Sequence, residues 1–188
     1  MNKRLLTLSA VVLSAAMARM LPHPSNVTPI AAIALFGGAY LTNRKLAFLL
    51  PLSAMFLSDL GLWALGQVPP PGQESLWVYA SFAMTVCLGL WLRQRRRVLP
   101  IAGMTLASAV VFYLVTNFGV WASGALYVRT TAGLLQCYTA AIPFFRNMLL
   151  GDAGYVALLF GGFALAEKRF LVLREADSMM PKVFPRAV

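Results

Sequence analysis

The chain has 188 residues, 60% of them hydrophobic and 12% charged, with a formal net charge of +10. A soluble domain carries roughly 25% charged residues, so long apolar runs with this little charge exclude an ordinary water-soluble fold and predict one integral membrane domain. The positive charge is read as orientation charge on cytoplasmic loops rather than as a nucleic-acid footprint, because Lys and Arg gather on that side of polytopic proteins.

A span must cross roughly 30 Å of hydrocarbon, and runs able to do so are predicted at about 5–21, 27–42, 46–65, 76–92, 98–121 and 147–167, followed by a tail at 168–188. The expectation is an all-α, six-helix transmembrane bundle. The first run also fits a cleavable secretory signal, with Lys3 and Arg4 before an apolar core and Ala16-Met17-Ala18 after it. Retention is expected, because Arg19-Met20-Leu21-Pro22 runs straight into the second span. That second span is the shortest and is interrupted by Gly37 and Gly38. Between 122 and 146 the chain is polar at first and broken by Gly124, Gly133 and Pro143. A short re-entrant or interfacial helix is predicted over 131–145, capping a cavity from the outer side.

Six spans put the N-terminus, the 43–45 and 93–97 loops and the C-terminus on one side. That side holds 13 of the 16 Lys and Arg residues, leaving Arg19, Arg129 and Arg146 on the other. Both termini are therefore expected in the cytoplasm, and the protein in a bacterial inner membrane.

Polar residues collect on the outer side. His23 and Asn26 lie between spans one and two, Asp59 lies in the apolar stretch MFLSDLGLWAL, and Tyr79 begins span four. Asn117 and Trp121 end span five, and Tyr127, Cys137, Tyr138, Arg146, Asn147 and Asp152 follow. An unpaired carboxylate at the place of Asp59 costs several kcal/mol. Two readings follow: a packing pair between Asp59 and Arg146, with Asp152 capping or pairing in a similar way, or an outward-facing binding pocket lined by all these groups. Cys137 is either a small apolar filler or, with an exposed thiolate, a ligand for a soft metal. Ala10, Ser14 and Ala18 recur every four residues on the first span, a small-residue face suited to close helix contact. No nucleophile–base set, metal-ligand spacing or phosphate-binding loop is visible, so no enzyme activity is expected.

The ordered motifs RMLPHPSNVTPIAAIALFGGAY, LSDLG, VTNFGVW and QCYTAAIPFFRNMLLGD resemble a family of small bacterial membrane proteins described as candidate transport proteins. That family is in turn similar to the substrate-binding S components of energy-coupling factor (ECF) vitamin transporters, nearest to the solitary cobalamin-binding type. The resemblance implies six helices and one vitamin-like ligand, cobalamin first, held near the outer face beneath loops. It also implies a coupling subunit with ATPases as partners, docking on the face of Ala10, Ser14 and Ala18. Cobalt-binding relatives carry a cysteine near the start of the fourth span. The corresponding GQESLWVYA has none, so Cys137 would have to serve. The alternative is a non-transporting membrane scaffold or assembly factor whose polar residues serve packing.

Overall fold

Helix boundaries follow from caps and breakers. The computed structural model describes residues 3–21, 26–68, 70 and 72–174, without the side chains of Gln73 and Glu74. Helix α1 (Lys3–Met17) continues into a 3₁₀ turn, Ala18–Met20. Its Arg4, Leu8, Val12 and Ala16 lie one helical turn apart and are buried, while Ala10 and Ser14 on the other side are exposed. Helix α2 (Ile30–Tyr40) has 11 residues, of which every one after Ile30 is buried. Helix α3 (Arg44–Ala64) starts where the Asn43 side chain accepts from the Lys45 and Leu46 amides, and it carries Pro51 in its interior. Then come α4 (Gln73–Trp91) and α5 (Val98–Ser123), the latter stopped by Gly124 at φ 70°. No strand occurs among the described residues.

The short α2 is the centre of the assembly, and two glycines make that possible. A Cβ on Gly38 would stand 2.5 Å from the Val86 carbonyl oxygen, and one on Gly89 2.5 Å from that of Leu35. With neither present, α2 and α4 meet backbone to backbone, the contact that small residues permit inside membranes. At the far end of α2, Phe36 and Tyr40 stack against Phe160 and Phe163 with ring centroids 4.8–5.6 Å apart, in tilted and edge-to-face arrangements that aromatic quadrupoles favour.

The last part of the chain corrects the sequence-based expectation. Helix α6 (Thr131–Val156) is joined through a π-helical segment, Ala157–Gly161, to α7 (Gly162–Arg169). Thr131–Arg169 is thus one continuous rod of 39 residues, about 58 Å long at 1.5 Å per residue. There is no separate short helix over 131–145 and no break before 147. Thr130 caps the rod by accepting from the Gly133 amide at 3.1 Å. Gly133, Cys137 and Ala141 recur every four residues as its buried face. Pro143 removes one backbone donor, which the packing of this face against α5 outweighs.

Four helices, Arg44–Ala64, Ser75–Gln94, Val98–Ser123 and Thr131–Arg169, are long and apolar enough to cross a membrane. This agrees with a multi-pass membrane protein.

At one end of the helices the basic residues have structural duties that counting them as orientation charge did not foresee. Arg4 is paired with Glu167 at 2.9 Å and also donates to the Leu173 carbonyl. Arg93 donates to the carbonyls of Gly38 (3.0 Å), Leu41 (2.6 Å) and Thr42 (3.1 Å), closing the C-terminus of α2. A cation is well placed there, where the helix dipole is negative and carbonyls lack intrahelical donors.

Candidate functional site

At the opposite end, α1, α3 and α4 bring four polar side chains together. The 3₁₀ turn that prolongs α1 carries Arg19 to the last turns of α3. There its guanidinium donates to the Asp59 carboxylate at 2.7 Å and to the Ser58 hydroxyl at 2.6 Å. Ser58 in turn donates to the Met55 carbonyl at 2.8 Å. From the second turn of α4, the Tyr79 hydroxyl donates to the other Asp59 oxygen at 2.7 Å. Side-chain exposure is 11% for Arg19 and 22% for Asp59, so the pair is largely removed from water. The ion pair thereby avoids the cost of an unpaired intramembrane charge.

The pair does not fill its surroundings. A cavity of about 220 Å³ adjoins it, lined by Arg19, Asp59, Tyr79 and Ser75 together with Val68, Pro70 and Gly72 of the proline-rich turn. The Arg19 Nε is buried and has no hydrogen-bond partner among the described residues. Nη1 serves both Asp59 and Ser58, so the guanidinium is not saturated by these two bonds.

This arrangement overturns the pairing of Asp59 with Arg146. Arg146 is exposed on α6 and makes no ion pair or hydrogen bond among the described residues. Arg19 and Ser58 were missed as partners of Asp59. The available signal was that Arg19 ends span one on the same side as Asp59 ends span three, and each needs a countercharge.

The other expected residues form a second group on α5 and α6. Asn117 Nδ2 donates to the Tyr113 carbonyl at 2.8 Å, Tyr138 donates to the Leu114 carbonyl at 2.7 Å, and Tyr113 donates to the Tyr138 carbonyl at 2.5 Å. Cys137 is buried, its thiol 3.4 Å from the Asn117 carbonyl oxygen. A thiol so placed is directed at the neighbouring helix. A small cavity of about 180 Å³ lies here, lined by Asn26, Tyr113, Thr116, Asn117 and the α6 aromatics Phe144 and Phe145. Asn26, at φ 64°, adopts the left-handed conformation that asparagine tolerates better than most residues. The two cavities share no lining residue, so the single outer pocket of the sequence reading is two groups in the structure.

Trp121 Nε1 donates to the Val128 and Thr130 carbonyls at 3.2 and 3.1 Å, fastening the 124–130 loop, in which Tyr127 is half-buried. Asn147 is half-buried on α6. Asp152 is 2% exposed, with Oδ2 unpartnered among the described residues. The expected cap or pair for it is not formed among the described residues. His23 lies outside the described residues. Among those described, no three His, Cys, Asp or Glu side chains form a metal-binding group.

Residues 1–178 match DUF6580, a family of unknown function, and the chain belongs to that family. No curated protein and no solved structure matches it.

Proposed function

We propose that this member of DUF6580 is a membrane-embedded substrate-binding protein for uptake of a vitamin-like small molecule, resembling an S component. It would have six spans and both termini in the cytoplasm of a bacterial inner membrane. The basic end of the helices then faces the cytoplasm and the Arg19–Asp59–Tyr79 end faces outward. The observation that carries the reading is a largely buried ion pair set against a cavity, with one guanidinium donor unserved. Packing alone gains little from such a pair, since apolar residues of similar volume are often as stable or more so. A ligand entering from outside can meet the Arg19 guanidinium where it borders the cavity, and the spare lone pairs of Asp59 and Tyr79.

Size limits the ligand. Pockets for drug-sized molecules occupy roughly 300–1,000 Å³, so a cavity of about 220 Å³ suits a compact molecule. Cobalamin, the first candidate from the resemblance, is larger than this cavity and would require it to widen. The exposed Ala10 and Ser14 fit docking of a separate coupling subunit, because α1 turns its other face inward. Leucine at Ala10, Ser14 and Ala18 should then abolish uptake while leaving ligand binding intact.

One observation favours a scaffold as the second reading: both Asp59 oxygens are already bonded within the chain. Mass spectrometry of small molecules copurifying with the protein separates the two. A stoichiometric compound, lost on Asp59→Asn, supports uptake; a ligand-free protein whose variants leave cells unaffected in uptake supports the scaffold. Orientation is checked by labelling Arg95→Cys and Gly72→Cys variants in intact cells with an impermeant reagent. Position 72 should react and position 95 should not.

A further inference from the structure

A second cavity among the described residues is larger than the polar one and mainly apolar. A groove of about 500 Å³ runs between the first half of α5 and the long rod. Val98, Ala102 and Leu106 recur every four residues along one wall, and Ala153, Ala157 and Gly161 do so along the other. Two such rows on facing helices make a straight trough about 12 Å long on the α5 side, at 1.5 Å per residue. Small side chains on the rod keep it open, and part of that wall is the π-helical segment Ala157–Gly161. The hydroxyl of Thr105, which also lines the trough, is tied to the Ile101 carbonyl at 2.9 Å. Both walls belong to helices long and apolar enough to cross a membrane, so the trough lies alongside hydrocarbon.

Apolar shape alone selects nothing there, because a lipid tail gains no hydrophobic energy by leaving other tails. Selection has to come from the mouth, and the mouth is cationic. Arg96 lines it, with its guanidinium 4.7 Å from the Tyr40 ring centroid. Arg95 and Arg97 beside it are exposed. The same place is the N-terminus of the 26-residue α5, whose N-cap residue Arg97 makes no side-chain cap bond. First-turn amides and the positive end of a helix dipole attract phosphate. Val98, the first residue of that helix, is also the first residue of the trough.

We propose that this groove is a site for one anionic phospholipid, with an acyl chain in the trough and the phosphate at the N-terminus of α5 between Arg96 and Arg97. Charge complementarity singles out an anionic headgroup over a zwitterionic one, since basic residues at a membrane surface attract net negative charge. The site is distinct from the Arg19–Asp59 cavity and stands whether or not that cavity takes up a solute.

The test is native mass spectrometry of the full chain, purified in detergent and offered equal amounts of phosphatidylglycerol and phosphatidylcholine. The wild type should retain one phosphatidylglycerol per chain, favoured at least about tenfold, and Arg97→Gln should cut that preference about fivefold, the effect of one basic residue at a lipid surface. Ala157→Phe and Ala102→Leu, which fill the trough from opposite walls, should each remove the retained lipid. The pair guards against one of them misfolding, and Arg97→Gln leaves the trough untouched. Equal retention of both lipids by the wild type would overturn the proposal. So would retention that survives both trough-filling variants, or a dimer that forms in place of lipid binding and is lost when the trough is filled.

Discussion

At the basic end of the molecule Arg93 terminates on the chain itself, its Nε, Nη1 and Nη2 each reaching a carbonyl at the C-terminus of α2. At the other end Arg19 meets a carboxylate and a hydroxyl, keeps one buried donor without a partner, and borders an open cavity. Both regions bury charge near helix ends, and the difference lies in what remains after the internal bonds are made. Where the guanidinium closes a helix terminus, the charge serves the fold. Where it stops short of saturation beside empty space, the same residue type is available to something from outside.

Changes at the basic end and in the α2–α4 contact should therefore appear as lost stability, read by thermal unfolding in detergent micelles. The largest effect belongs to Gly38→Leu. Its Cβ alone would lie 2.5 Å from backbone, and overpacking of this severity should exceed about 3 kcal/mol and leave little folded protein. Arg4→Gln should cost about 3 kcal/mol by stranding Glu167, with Arg4→Gln/Glu167→Gln recovering most of it. If the double variant were no better than the single one, the Leu173 carbonyl bond would be the dominant contact. Arg93→Lys should cost about 2 kcal/mol, because an ammonium cannot reach three carbonyls with the guanidinium's fork. At the small end, Arg146→Gln should change stability by less than about 0.5 kcal/mol. A larger loss would restore Arg146 as a structural partner and weaken the assignment of Asp59 to Arg19.

Composition and apolar run length were enough to read the helical class and the order of the helices, because hydrocarbon thickness constrains both. That Asp59 needs a partner was also legible, since an intramembrane carboxylate must find one. Which partner it finds was not legible: Arg19 and Arg146 both end apolar runs on the same side, and only packing of α1 against α3 separates them. Arg93 disappeared into a count of loop charges, although three arginines follow within four residues and only one of the group closes α2. The continuous rod was hidden by Gly133 and Pro143, local breakers that the buried ladder of Gly133, Cys137 and Ala141 overrides. Depth and register of packing are tertiary properties, and periodicity reports only which face is apolar.

Whether the Arg19–Asp59 pair serves a ligand and not only the bundle is decided by ligand binding and uptake in the double variant Arg19→Gln/Asp59→Asn, with each single variant alongside. Each single variant leaves a largely buried charge uncompensated and should be destabilised, and the double variant should regain most of the wild-type unfolding temperature. A pair that serves a ligand leaves this restabilised double variant unable to retain a copurifying small molecule or to support its uptake. A stable double variant that binds and imports normally would show the pair to be helix packing alone.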